Sequence, residues 1–259
     1  MNNPSIDICR VLEGWYATPR GQYVLAATRQ LLAPVLDVAF GYHLLQIGGV
    51  RESVFHQSSP IHHRIHLAAE PGNEVAVVGK VDELPFCEDS VDMLIAHHAL
   101  EFAEDPHRAL REMQRVLAPS GQLLIVGFNP FSVQGLSNLV RGRFHQPLWR
   151  TQHLLSKRRV CDWLSLVGCE VESVRYIYTV PPCGRGGLRS GLINVDERLS
   201  RYNLPVGGIY VIHAIKQTYG ISRPRPLLKS RRSALIGLVP KPAASSHSAA
   251  RHKTRSSTV

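Results

Sequence analysis

Cysteine is sparse in this chain, and acid is missing from one end of it. The five cysteines (Cys9, Cys87, Cys161, Cys169 and Cys183) are odd in number, widely spaced and form no Cys-x-x-Cys pair. That argues against a disulfide framework or a cysteine zinc site, and reduced thiols in a cytoplasmic protein are the expectation. No apolar run approaches the ~20 residues that a membrane-spanning helix needs. The opening MNNPSIDICR has no basic stretch followed by an apolar core, so a secretory leader is not expected. From Arg198 onward there are 12 Lys and Arg and no acid, against 18 basic and 20 acidic residues before that point. The formal charge of +10 therefore belongs to the tail.

What is present is enough for one sizeable α/β core: 44% of the 259 residues are hydrophobic. The stretch 81–128 reads as loop, strand, loop, helix, tight turn and strand. Val91 to Ala96 is an apolar run of strand length, and Asp105-Pro106 is a helix cap followed by proline. Ala109, Leu110, Met113, Val116 and Leu117 fall on one helical face, and Arg108, Arg111, Glu112 and Arg115 on the other. Pro119-Ser120-Gly121 should stop the helix before the apolar strand 122–128. Two such strands joined by one helix form a right-handed parallel βαβ unit.

These residues carry a resemblance. DELPFCEDSVDMLIAHHALEFAEDPHRALREMQRVLAPSGQLLIV resembles the centre of the type-11 class of S-adenosylmethionine (SAM)-dependent methyltransferases. FGYHLLQIG, GFNPFS and DWLSLVGCEV resemble its bacterial YafS-like subgroup. The resemblance implies a Rossmann-like α/β fold over residues 43–218, with a seven-stranded sheet whose last strand is antiparallel. It leaves 1–42 as an N-terminal helical extension and 219–259 as a basic tail, expected to be disordered because it is acid-free and rich in Ser, Pro and Ala.

Along the chain, Thr18-Pro19 opens a helix with apolar residues at Val24, Ala27, Leu31, Leu32 and Val35, which Pro34 should kink or divide. Residues 43–47 form the first core strand, 50–57 a short helix, 64–69 and 74–78 two further strands. Residues 132–140 and 157–167 read as helices, the latter ending at Gly168, and 170–178 and 208–216 as the closing hairpin. The resemblance places cofactor contacts at Gln46, Gly48, Gly49, Glu70, Val81, Asp82 and His97. Gly48 and Gly49 would let the backbone approach the methionine part. Glu70 would accept the ribose hydroxyls, 22 residues beyond Gly48. Gln46 and Lys80 stand where the pattern has acids, with Val81 and Asp82 beside the latter. His97 or His98, after the fourth strand, could take a proton from an acceptor; alternatively one packs the sheet and the other touches the cofactor. His62, His63, His66, His97 and His98 invite a metal reading, but no acid or cysteine joins them at ligand spacing. Asn129-Pro130-Phe131 follows the fifth strand and lacks a second proline, so it reads as a loop on the substrate side. The glycine-rich 181–191 reads as a loop near the site.

The expectation is a SAM-dependent methyltransferase acting on a small molecule. The alternative is a methyltransferase fold without turnover, holding nucleic acid or another polyanion through its tail.

Overall fold

The structure, a computed structural model, describes residues 10, 12–48, 54–132, 153, 155–177, 192, 196, 203 and 207–218. Gly49, all but the first residue of the expected helix 132–140, the loop 181–191 and the tail lie outside the described residues. Seven strands make one sheet: β1 (His43–Ile47), β2 (His63–Ala68), β3 (Val77–Val78), β4 (Val91–His97), β5 (Leu117–Phe128), β6 (Cys169–Ile177) and β7 (Ile209–Lys216). Their order is β3-β2-β1-β4-β5-β7-β6. β1 to β5 pair in parallel, and β7 runs antiparallel between β5 and β6. This is the doubly wound sheet with a reversed last strand that the sequence implied.

Strand alternation divides the core in two, because successive side chains leave opposite faces of a strand. Leu45, Ile47, Leu94, Ala96, Leu123 and Ile125 meet helices α2 (Pro106–Val116) and α3 (Lys157–Leu166). Leu44, Met93, Ile95, Leu124 and Val126 meet helix α1 (Pro19–Leu36). α2 follows its pattern closely. Asp105 accepts from the His107 and Arg108 amides, and Pro106, Ala109, Leu110, Met113 and Val116 are the buried face.

Several boundaries differ from expectation. Thr18 caps α1 through a bond from the Gly21 amide, but Pro34 does not divide the helix. The proline forfeits only one bond, near the end, and burial of Leu32 and Leu36 holds the final turn. β5 starts at Leu117 rather than Gln122, because Leu117 pairs with Val91 and the Pro-Ser-Gly stretch bends inside the strand, with Ser120 at φ +62. β3 keeps only Val77 and Val78, since Asn73 and Glu74 are taken up in a turn. β2 begins one residue early, at His63. Of the short helix expected over 50–57, the described residues hold one 3-10 turn, His56–Ser58.

Charged side chains pin the connections. Glu112 accepts from the Leu84 amide, and Arg115 donates to the Leu84 and Phe86 carbonyls, so α2 holds the Leu-Pro-Phe loop. Lys216 binds Asp89 together with the Gln114 and Leu117 carbonyls at the C-terminal end of α2. Met113 is fully buried between α2 and the sheet. Met113→Ala should therefore cost about 2–5 kcal/mol in urea unfolding. Arg111→Ala, on the exposed face, should stay within about 0.5 kcal/mol of wild type.

Candidate functional site

In an open α/β sheet, ligands bind beyond the carboxyl ends of the strands, where strand order reverses. Here that point lies between β1 and β4. Gly48 leaves β1 at φ +71, and a Cβ there would stand 3.0 Å from the His97 carbonyl oxygen. A side chain would be both strained and crowded, so the seam requires glycine.

Gln46 is fully buried two residues earlier, in register with His66 on β2. Its Oε1 accepts from the Phe55 amide at 2.9 Å, and its Nε2 lies 3.5 Å from His66 Nε2. The carboxamide thus holds the far end of the connection that leaves β1. His66 Nε2 also lies 3.4 Å from the Gly48 carbonyl oxygen.

At the end of β4 the chain turns through His98 at φ +54, a left-handed conformation that few residues other than glycine adopt. Extended alternation would send His97 and His98 to opposite faces. The turn instead brings both rings beneath the Tyr16 hydroxyl, 3.2 Å from His97 Nε2 and 2.6 Å from His98 Nε2. His98 Nδ1 lies 2.6 Å from Glu101 Oε2, and Glu101 Oε1 accepts from the Phe128 amide. His98 stacks on Phe128 with centroids 4.0 Å apart, and Trp15 meets Tyr16 and Phe128 edge-on. All four polar residues are 2% exposed or less. The Nδ1 atoms of His97 and His66 are buried without a hydrogen-bond partner.

Burial governs the ionisation of the cluster. It holds the His97 imidazole well below its ordinary value and pushes His98 down to about 3. His66 is lowered by the same cause. Burial, and then the Glu101 charge, raises the Tyr16 phenol well above 10. Both histidines of the pair are therefore neutral at neutral pH.

The remaining sequence candidates lie around this cluster. Glu70, just past β2, is largely buried and pairs with Arg10 at 3.3 Å. Val81 and Asp82 are half-buried in the loop between β3 and β4. Lys80 is exposed, 3.8 Å from Glu104. The structure thus gathers Gln46, Gly48, His97 and His98 at the ends of β1 and β4, with Glu70 just past β2 and Val81 and Asp82 just past β3. Sequence reasoning missed Tyr16, for which nothing local gave a signal, and Glu101, whose spacing of three from His98 could have been noticed. Among the described residues, no group of three or more His, Cys, Asp or Glu could hold a metal ion, and no helix is long and apolar enough to cross a membrane.

Comparison with known proteins bears on this arrangement. A family profile described as a methyltransferase domain matches residues 56–125. The uncharacterized protein YafS of Escherichia coli is 34% identical over 178 residues, covering 67% of this chain and 71% of YafS. The ubiquinone/menaquinone biosynthesis C-methyltransferase UbiE of Vibrio parahaemolyticus is 33% identical over 106 residues, covering 41% of this chain and 36% of its own length. Among solved structures, a complex of the Haloferax volcanii Trm112 methyltransferase activator with a methyltransferase matches at a TM-score of 0.58. That likeness has 17% identity, over 80% of this chain and 98% of the matched one, and concerns the fold alone.

The buried neutral histidines predict a pH dependence. Their folded pKa values lie below the ordinary ~6.5, so the unfolded chain takes up protons first as pH falls. The stability they contribute is complete above pH ~6.5 and is lost progressively toward lower pH, at up to about 1.4 kcal/mol per pH unit for each ring. Denaturant midpoints should hold steady between pH 7.5 and 6.5 and decline from there to pH 5. A midpoint that stays level across that window would show the rings to be charged in the fold.

Proposed function

The chain belongs to the class I SAM-dependent methyltransferase family, with YafS among its relatives, and from that premise we propose that it methylates an oxygen, nitrogen or carbon nucleophile of a small molecule. The observation that carries this reading is the bare, buried Nδ1 of His97 where strand order reverses, with the His97 backbone packed against Gly48. SAM supplies a methyl group already activated on a sulfonium, so the protein's part is positioning and, at most, removal of one proton.

The residues fit such a cofactor. Gly48 keeps the seam between β1 and β4 free of a side chain, and Glu70, which pairs with Arg10, would turn its carboxylate to the ribose hydroxyls. Val81 and Asp82 would border the adenine side. Gln46 supports the site through Phe55, since its oxygen is engaged by that amide. Of the two histidines, His97 is the better base: Nδ1 of His98 faces Glu101, Nε2 of His98 faces Tyr16, and only His97 keeps a nitrogen without a partner. His97 is fully buried and Tyr16 sits on its Nε2, so an acceptor would approach from the Nδ1 side.

The reading is tested by calorimetric titration with S-adenosylhomocysteine, the demethylated cofactor. Micromolar binding is expected, weakened about tenfold in Glu70→Gln, which corresponds to about 1.4 kcal/mol. Gly48→Arg should abolish it. Absence of heat and of thermal stabilisation at millimolar ligand would overturn the enzyme reading. The alternative, a fold retained without turnover and acting through its basic tail, would then take its place.

A further inference from the structure

We propose that Glu101, acting through His98 and Tyr16, determines which nitrogen of His97 carries the proton and so makes Nδ1 the basic atom of the site. The argument follows the hydrogens. Glu101 takes the Phe128 amide on one oxygen and faces His98 Nδ1 with the other. An ionised carboxylate only accepts, so His98 carries its hydrogen on Nδ1 and presents a lone pair at Nε2. The Tyr16 hydroxyl, 2.6 Å away, has one hydrogen and donates it there. Its oxygen must then accept from His97 Nε2, the remaining contact, at 3.2 Å. His97 is left with hydrogen on Nε2 and a lone pair on Nδ1, the atom that is buried without a partner.

Every link points the same way, from His97 toward Glu101. Were His97 to take a proton from an acceptor, the X–H bond would break, its electron pair would stay on X, and the new N–H would form at Nδ1. The X–C bond to the SAM methyl would form as the methyl's C–S bond breaks, with that bond's pair going to sulfur. The resulting imidazolium faces a row of aligned dipoles that ends in a carboxylate, which favours the charged form. Glu101, His98 and Tyr16 are positioning residues in this scheme. The basic role of His97 rests on the proposed methyl transfer; the placement of the hydrogens does not.

The experiment uses the full chain labelled with 15N-histidine and long-range imidazole spectra at neutral pH. Wild type should show His97 protonated on Nε2 alone and His98 on Nδ1 alone. In Glu101→Gln the carboxamide keeps its oxygen for the Phe128 amide and turns its NH2 toward His98. That reverses each bond in turn and moves the His97 hydrogen to Nδ1, two residues removed from the change. Tyr16→Phe keeps the ring beside Trp15 but cuts the chain, so His97 should show both tautomers while His98 keeps its own. A merely structural role would lower stability without moving a proton on a remote ring. Hydrogen on His97 Nδ1 in wild type, or a folded Glu101→Gln with His97 unchanged, overturns the proposal. Should Glu101→Gln fail to fold, Tyr16→Phe decides, since an unchanged His97 there is equally fatal. Failure to bind S-adenosylhomocysteine would remove the enzyme reading and leave the tautomer result standing.

Discussion

A carboxylate enclosed in an apolar interior must be supplied with donors, and the end of the sheet is arranged around that need at Glu101. Withdrawing such a group from water costs on the order of several kcal/mol unless hydrogen bonds replace its hydration. One donor is the last amide of β5 and another is the ring of His98, whose backbone turns left-handed. The Glu101 carbonyl meanwhile accepts from the His153 amide. Tyr16 completes the set from the N-terminal side, with Leu12 and Tyr16 both buried. Four segments distant in sequence thus meet around Glu101 and His98, and the geometry of the candidate site follows from hydrogen-bonding that carboxylate.

Elsewhere charged side chains hold backbone ends together. Asp92 accepts from the Tyr42 and His43 amides and so anchors the start of β1. The Lys216 ammonium sits where the carbonyls at the C-terminal end of α2 concentrate negative charge. Arg115 and Glu112 bind the Leu-Pro-Phe loop from the polar side of the same helix. Within the resemblance over residues 82–126, Asp92, Glu112 and Arg115 therefore hold the fold and carry little information about the reaction.

That distinction explains what could be read from the chain. α2, with its acidic cap and spaced apolar face, was legible because local propensity and tertiary burial agree there. Gly168 ended α3 as expected, at φ +78. The start of β5 was hidden because Pro-Ser-Gly normally punctuates, whereas pairing of Leu117 with Val91 overrides it. Gln46 read as the loss of an acid. In its fully buried position a neutral carboxamide avoids the cost of a buried charge and still accepts from Phe55. Tyr16 was invisible for a different reason: its partners lie 81 and 82 residues away, and no local pattern announces a contact of that range.

The position of β7 bears on how the chain comes to be made. Among the described residues it is the last strand in sequence, yet it lies inside the sheet, with β5 on one side and β6 on the other. During synthesis β5 emerges with an open edge, and β6 follows with no neighbour to join, until residues 209–216 clear the ribosome and fill the gap. The nascent polypeptide therefore carries an open β5 edge from Phe128 until Lys216 is made, a period in which chaperone capture or mispairing competes with folding.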